Sequence, residues 1–265
     1  MTESKSIWLI PLILVIGLAA GLLYLSQDTQ EPPVVAPAPS APPPADDETP
    51  RHPLPLPLEP AAESPSLPPL PLLEDSDETV AQALVDLFGI DIEESLVDTS
   101  LIEKFATTVD NLSRSRVAEK VRPLRRVSGL FLVEAHEDGE SYLINPDNHR
   151  RYDLLVNLAT SVSADRIAAT YRRFYPLLQE AYVNLGYPDG YFNDRVVETI
   201  DHLLDTPHPT EPLALVRPHV LYEYADPRLE ALSSGQKLLL RMGSDNAARV
   251  RQQLGELRAQ LAEND

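Results

Sequence analysis

The sequence predicts a mainly α-helical domain with one or two small β-hairpins, preceded by a single transmembrane helix and a disordered, proline-rich linker. Three observations predict this plan: a long uncharged apolar run near the start, a stretch holding sixteen of the 26 prolines after it, and apolar residues at helical spacing over most of the remainder. The chain divides into a cytoplasmic N-terminus at 1–6, a transmembrane helix at 7–25, a proline-rich linker at 26–75 and a helical domain at 76–265.

Residues 7–25, IWLIPLILVIGLAAGLLYL, carry no charged side chain. As a helix rising ~1.5 Å per residue, they cover roughly the ~30 Å hydrocarbon core of a bilayer. Lys5 precedes the run, whereas Asp28 and Glu31 follow it, so the positive-inside rule places the N-terminus in the cytoplasm and the remainder outside it. A cleaved signal peptide is the alternative. We favour an uncleaved anchor, because the run is longer than a usual signal sequence and no clear small-x-small cleavage site follows it.

The proline-rich stretch from Glu31 to about Asp75 contains runs such as PPVVAPAPSAPPPADDETP and PLPLPLEP. Such a composition buries too little apolar surface to fold, which predicts a semi-stiff tether of polyproline II character. At ~3.1 Å per residue, about forty-five residues reach on the order of 100 Å. The P-x-x-P spacings also fit SH3-type grooves, but we favour a spacer because those modules are mostly cytoplasmic and eukaryotic.

Charge and cysteine content exclude several classes of function. The net charge is −19, and 31 acidic against 20 basic residues follow Ser76. Binding of nucleic acid through bulk charge is therefore not expected. The absence of cysteine excludes disulfides, lipoprotein attachment and thiolate metal sites. We expect no cofactor.

In the first half of the domain, helices are predicted at 77–88 and 99–112. Two strands, GLFLVEAH and SYLIN, follow with Asp138-Gly139 between them, which is a strong hairpin signal. Asn145-Pro146 predicts the start of a helix that runs to about Ala159. Ser163 begins the longest helix, which Gly186 ends. One face of that helix carries an apolar stripe: Ile167, Tyr171, Phe174, Leu178, Ala181 and Leu185.

The second half of the domain predicts a helix from Asp194 to about Leu204 and two short strands, LALV and VLYEYA. Two closing helices are predicted at 235–242 and at 245 to about 262. Ser233 and Gln236 have the spacing of a capping box, and Ser244 is predicted to cap the last helix. This reading also explains S-x-x-K at Ser234 and the S-D-N that follows it, two motifs of acyl-serine enzymes that lie here only ten residues apart without a K-T-G.

The segment GYPDGYFNDR, residues 186–195, packs two glycines, a proline, three aromatic rings and three charges into ten residues. Residues 187–190 have the pattern of a β-turn, and Asn193 is placed to cap the next helix. We predict a tight corner whose rings pack on the long helix: Tyr187, Tyr191 and Phe192 against Tyr171, Tyr175 and Tyr182. Arg195 is the exception, because a cation in the first turn of a helix opposes the helix dipole. We expect it to have a compensating partner, Asp189 or Glu180, or a role in function.

Two further groups of residues are candidates for sites. The segment RSRVAEKVRPLRR, 114–126, is strongly basic in an acidic domain, which predicts either a solvated loop or an anion-binding patch. Glu198 and His202 lie four apart on one helix, but this spacing without further ligands is more typical of exposed helix charge than of a metal site, and we expect no metal.

Two long runs, YPLLQEAYVNLGYPDGYFNDRVVETIDHLL and LSSGQKLLLRMGSDNAARVRQQLGELRAQL, together with TTVDNLSR and FLVE, carry a family resemblance. On these residues the chain resembles the bacterial domain-of-unknown-function family 3014 from about Leu72 to Leu261. The resemblance implies a proteobacterial protein with an inner-membrane anchor, a proline-rich tether and a periplasmic domain. It implies no activity and no catalytic residues.

These observations favour a non-enzymatic envelope protein, since a long membrane tether raises the effective concentration of a binding domain near another envelope layer. Its expected partners are an envelope protein, lipid headgroups or an anionic envelope polymer, besides the membrane itself. The residues expected to contact a partner are Arg114, Arg116, Lys120, Arg122, Arg125 and Arg126, and at the corner Tyr187, Asp189, Tyr191, Asp194 and Arg195.

Two alternatives stay open. The first is a periplasmic hydrolase of an envelope polymer, with an acid/base set of Asp189, Asp194, Asp201 and His202. The second is assembly through the C-terminal helix, whose apolar residues have near-heptad spacing: Val250, Leu254, Leu257 and Leu261.

Overall fold

A computed structural model describes residues 49–54, 68–125, 130–136, 141–209, 212–219 and 221–262. The predicted transmembrane helix, most of the predicted linker, Arg126 and the Asp138-Gly139 turn lie outside these ranges. Among the helices of the described ranges, none combines the length and the hydrophobicity needed to cross a bilayer. The described part of the chain is mainly helical with a small antiparallel sheet, as predicted. Its helices are α1 Asp77–Phe88, α2 Leu101–Leu112, α3 Asp147–Arg150, α4 Asp153–Thr160, α5 Ala164–Asn184, α6 Phe192–Leu204, α7 Pro227–Glu230, α8 Ser234–Arg241 and α9 Ser244–Leu261.

The main core lies between α2, α5, α6 and α9, which pack against one another in pairs. Each of these helices buries an apolar stripe, as a surface helix of a globular domain does. The largest fully buried side chains include Phe105 of α2, Tyr171 and Phe174 of α5 and Phe192 of α6. The predicted stripe of α5 is therefore confirmed, except that Leu185 follows the helix and is exposed.

The closing helix α9 buries the whole face that suggested helix pairing. Val250, Leu254, Leu257 and Leu261 are at most 4 % exposed. They lie in the main core, where α9 packs on α4, α5 and α6. Because this face is already covered within one chain, its near-heptad spacing reflects intradomain packing.

Two predicted helix starts, at Asn145-Pro146 and at Ser244, differ from the structure. The helix predicted from Asn145-Pro146 to Ala159 is two helices, α3 and α4, because the amides of Arg151 and Tyr152 bond three residues back rather than four. Pro146, not Asn145, holds the cap position of α3, although the Asn145 side chain accepts the amide of Asp147 at 2.7 Å. Ser244 is the first residue of α9 rather than its cap, since Gly243 precedes the helix at φ +81°.

The predicted capping box is confirmed at the start of α8. The Ser233 hydroxyl accepts the amide of Gln236 at 3.2 Å, and the Gln236 side chain accepts the amide of Ser233 at 3.3 Å. Ser234 is buried with its hydroxyl against the carbonyls that end α2, and Lys237 pairs with Glu230. The S-x-x-K residues therefore serve the local structure.

The strands of the predicted hairpin and the two predicted later strands join into one four-stranded antiparallel sheet in the order β1-β2-β3-β4. Its strands are β1 Val133–Ala135, β2 Ser141–Ile144, β3 Ala214–Val216 and β4 Glu223–Tyr224. β2 pairs with β3 across some seventy residues of chain, with Tyr142 opposite Leu215. A second, smaller core forms beneath the sheet from Ile144, Leu213, Leu215, Tyr224 and Leu240.

Residues before the predicted domain boundary at 76 also contact the domain. Leu54, Leu70 and Leu73 pack against the main core, and Arg173 of α5 donates to the carbonyl of Pro68 at 3.3 Å. We call residues 49–54, TPRHPL, the strap. The strap reaches the start of α6, where its amides contact Asp194.

Candidate functional site

The corner, residues 186–195, connects α5 to α6. Gly186 follows α5 at φ +106°, a left-handed conformation that favours glycine. The predicted β-turn is confirmed, because the amide of Gly190 donates to the carbonyl of Tyr187 at 3.1 Å. A Cβ at Gly190 would lie 3.0 Å from the ring of Tyr182, so the turn closes tightly on α5.

Gln179 of α5 fastens the corner to the long helix. Its Oε1 accepts the amide of Phe192 at 2.8 Å and the hydroxyl of Tyr175 at 2.9 Å, and its Nε2 donates to the carbonyl of Gly190 at 2.7 Å. Gln179 thus satisfies an amide at the start of α6, a group that a cap residue usually satisfies. This is why α6 begins at Phe192 and why the prediction of Asn193 as its cap was wrong.

The rings of Tyr187 and Phe192 pack on α5 as predicted. Tyr187 stacks on Tyr182 with centroids 4.6 Å apart, and Phe192 lies 5.4 Å from Tyr182 and 6.4 Å from Tyr171. Tyr191 is half-buried and precedes α6. Burial raises the pKa of Tyr175 to about 12 and raises the pKa values of Tyr171 and Tyr182 above their ordinary range.

We expect the domain to lose stability steeply at alkaline pH. These tyrosines keep their protons in the folded state to a higher pH than the ~10 of an unfolded tyrosine, so their contribution is complete below pH ~10 and is lost as the pH rises toward the folded values. The thermal midpoint measured between pH 8 and pH 12 checks this.

Tyr171→Phe is the matched variant, since the Tyr171 hydroxyl is buried with no hydrogen-bond partner among the described residues. Its midpoint should equal or exceed that of the wild type at pH 8 and should fall less steeply above pH 10. An identical alkaline slope in the two proteins would contradict the prediction.

Arg195 does have compensating partners, but the expected ones were wrong. The partners are Asp110 near the end of α2 and Glu198 on the next turn of α6, not Asp189 or Glu180. Nε of Arg195 donates to Oδ1 of Asp110 at 3.2 Å, Nη2 donates to the Asp110 carbonyl at 2.6 Å and to Ser113 Oγ at 2.7 Å, and Nη1 donates to Glu198 at 3.0 Å. The guanidinium therefore stabilises the C-terminal end of α2, where carbonyls lack helical partners.

Asp110 joins this network to the corner. It is buried at 6 % exposure and also accepts from Arg114 at 2.8 Å and from the Tyr187 hydroxyl at 3.4 Å. Burial lowers the pKa of the Arg195 guanidinium, but the carboxylates of Asp110 and Glu198 outweigh this effect and raise it on balance. Arg195 is thus a largely buried structural cation.

Asn193 and Asp194, which we call the seat, hold the strap at the first turn of α6. The Asp194 carboxylate accepts the amides of Arg51 at 3.0 Å and His52 at 2.8 Å, one on each oxygen. Nδ2 of Asn193 donates to the carbonyl of His52 at 2.8 Å and to that of Leu261 at 3.1 Å. Three successive polar residues of α6 therefore reach three different segments: the strap, the end of α9 and the end of α2.

The four residues of the proposed acid/base set make separate contacts. Asp189 is exposed in the β-turn, Asp194 holds the strap, Asp201 pairs with Arg258 of α9, and Nε2 of His202 lies 2.8 Å from Ser233 Oγ. Burial, followed by the nearby Arg195, lowers the pKa of His202. Asp194 and Asp201 are seven residues apart on α6, roughly 10 Å along the helix axis.

The basic segment divides into engaged and exposed cations. Arg122 is buried and donates to the carbonyl of Val117, Arg125 donates to Asp98, and Arg114 donates to Asp110. Arg116 and Lys120 are exposed. The proposed anion-binding patch stays a prediction, with these two side chains as its solvent-facing part.

Two further features lie away from the corner. In the part of the chain that the structure describes, no three His, Asp or Glu side chains are grouped to hold a metal ion. A pocket of about 330 Å³ opens between the sheet and α3 and α8, lined by Glu134, Leu143, Ile144, Pro146, His149, Pro212, Leu213 and Leu240. None of the predicted site residues lines this pocket.

Sequence patterns missed Gln179, Asp110 and the strap. Gln179 lies between Tyr175 and Tyr182 on the side of α5 that carries the aromatic rings. A polar residue among these rings was the sequence signal that could have indicated its role. Asp110 lies between the buried Val109 and Leu112, and a charged residue in this apolar part of α2 was a similar signal. The strap had only its composition, which resembles the rest of the linker.

The fold and the seat define a class of protein: a mainly helical domain with a small antiparallel sheet that holds a bent, proline-flanked segment at one helix start. Residues 101–258 match the model of a family described as protein of unknown function (DUF3014), and the chain belongs to this family. No curated protein and no solved structure gives a significant match.

Proposed function

We propose that this chain is a single-pass inner-membrane protein that presents a periplasmic binding and scaffold domain on a proline-rich tether, for contacts within the cell envelope. The uncharged run at 7–25 and the charges on its two sides support the anchor and its orientation. The composition of the linker supports the reach of the domain away from the membrane.

The observation that carries the binding function is the strap on its seat. A carboxylate that accepts two adjacent main-chain amides, beside an amide that donates to the carbonyl of the second residue, fits a peptide that bends so that both N–H groups point to the same side, as the strap does at Arg51 and His52. Hydrogen bonds to a charged acceptor are about twice as strong as neutral ones. The domain therefore has the chemistry of a peptide-binding module.

The same contacts favour binding over hydrolysis. Asp194 has both carboxylate oxygens committed to main-chain amides, and Asp201 is paired with Arg258. A general acid or base must reach the proton that it transfers, so these side chains are poorly placed for acid/base work. Arg116 and Lys120 would add a second, electrostatic contact with an anionic partner.

A peptide titration tests the binding function. The probe is a fluorescein-labelled peptide of residues 49–56, TPRHPLPL, and the protein is the full-length chain with Arg51→Pro and His52→Pro. These substitutions remove both strap donors without changing the domain. We expect saturable binding by fluorescence anisotropy, weakened at least about tenfold by adding Asp194→Asn, because one charge-assisted acceptor is lost.

Asp189→Asn is the matched control, since Asp189 is an exposed carboxylate of the same corner. It should leave the affinity for the peptide unchanged. Equal weakening by the two substitutions, or an absence of binding to the strap variant while its thermal midpoint is that of the wild type, would contradict a peptide-binding function.

A further inference from the structure

We propose that the seat recognises a specific backbone pattern, two adjacent residues with amide N–H groups followed by proline and an apolar residue, and that the chain's own strap occupies it in competition with a partner protein. This inference rests on the proposed binding function and names the ligand class of the same site. The ligand in trans is a proline-flanked segment of another envelope protein that bends as the strap does at Arg51 and His52.

The hydrogen bonds that hold the strap on the seat go to its main chain. Asp194 accepts the amides of Arg51 and His52, and Asn193 donates to the carbonyl of His52. The Arg51 side chain is 69 % exposed, and its Nε lies 4.0 Å from Asp194. These hydrogen bonds do not depend on the side chains of Arg51 and His52, so a different segment with the same backbone groups can make them.

The prolines set the register of the strap. Proline has no amide N–H, so it cannot donate to Asp194. Between Pro50 and Pro57 the chain reads PRHPLPLP, and Arg51-His52 is the one adjacent pair that retains both donors. Sliding the chain in either direction within this stretch would offer Asp194 at most one amide, so the pattern of prolines selects a single register.

An apolar residue of the strap and a second hydrogen bond of Asn193 complete the pattern. Leu54, two residues after His52, packs against the main core. On the other side, Nδ2 of Asn193 also donates to the carbonyl of Leu261 at the end of α9, which holds its side chain in place. Oδ1 of Asn193 is buried with no hydrogen-bond partner among the described residues, so the seat offers one more acceptor than the strap uses.

The seat and the strap differ in their relation to the family. Asn193 and Asp194 lie inside the matched residues 101–258, whereas the strap lies before them. The seat thus lies within the matched residues, and the strap lies in the proline-rich segment that precedes them. A ligand joined to its own domain benefits from an effective concentration on the order of millimolar, so the strap would keep the seat closed to weak partners.

The experiment compares the full-length wild-type chain with the Arg51→Pro, His52→Pro variant, using labelled TPRHPLPL as the probe. We expect the wild type to bind the peptide at least about tenfold more weakly than the variant, because its own strap competes. A second labelled peptide, TPPPPLPL, has the same length and lacks both amides. It should bind neither protein.

Hydrogen exchange on the wild type gives a measurement that does not depend on a variant. The amides of the segment 49–54 should exchange slowly in the free chain and faster when the peptide saturates the seat. Equal peptide affinity in wild type and variant, with unchanged exchange in the strap, would overturn the competition while leaving the binding function intact. Binding of TPPPPLPL as tight as that of TPRHPLPL would overturn the backbone pattern.

Discussion

Arg195→Ala is expected to lower the free energy of unfolding by about 3 kcal/mol, which for a domain of this size is a drop of roughly 6–12 °C in the thermal midpoint. The Arg195 side chain is 17 % exposed and binds the Asp110 carboxylate, the Asp110 carbonyl and Ser113. Its removal leaves a buried carboxylate with fewer partners and the end of α2 without its donor. Thermal unfolding of the full-length chain followed by circular dichroism measures the change.

Two variants define the cause of this loss. Arg195→Lys keeps the charge but cannot donate to Asp110, Ser113 and Glu198 together, so it should recover only part of the stability. Arg228→Ala removes an arginine that pairs with Asp226 while 90 % exposed, and it should cause no measurable shift. A midpoint of Arg195→Ala at or above that of the wild type would show that the residue is kept for something other than folding.

Gly243→Ala should be similarly destabilising, by about 3 kcal/mol, because backbone strain and overpacking each cost on the order of 1–3 kcal/mol. Gly243 has φ +81°, a conformation that L residues rarely adopt. A Cβ there would lie 2.5 Å from Nδ1 of His149 and 2.6 Å from its Cγ. The expected fall in the thermal midpoint is roughly 6–12 °C.

Gly255→Ala is the matched control for this glycine. It lies within α9, and its Cβ would meet no atom within 4 Å. Alanine should therefore stabilise the helix by roughly 0.5–1 kcal/mol, the opposite sign to Gly243→Ala. Combining Gly243→Ala with His149→Ala should relieve the clash and leave the backbone strain. If the loss of stability in the double variant equalled the sum of the losses in the two single variants, the two positions would not be in contact.

Short-range patterns predicted most of the helices and the corner itself. The helix at 77–88 was correct at both ends, since its apolar spacing and its following glycine are local signals. The β-turn of the corner was correct because proline and glycine at fixed positions select its dihedral angles. The start of α6 was two residues out, because a glutamine from another helix performs the expected role of Asn193.

The candidate site was only partly predictable for the same reason. The segment 186–195 stood out from its composition, and Asp194 and Arg195 were singled out there. Their roles depend on partners far away in the chain: Asp110 is 85 residues from Arg195, and His52 is 142 residues from Asp194. The spacing of neighbouring residues in the sequence does not predict contacts between such distant positions.

The sequence by itself determined the helical class of the domain, the acidic balance and the tight turn between α5 and α6, because each follows from composition or from spacing over a few residues. Only the tertiary structure decided that two hairpins become one sheet, that the cations of 114–125 are partly used within the domain, and that the linker returns to the start of α6. The physical reason is that buried polar groups must find partners wherever the packing of the core brings them, and that packing is set by the whole chain rather than by any one segment.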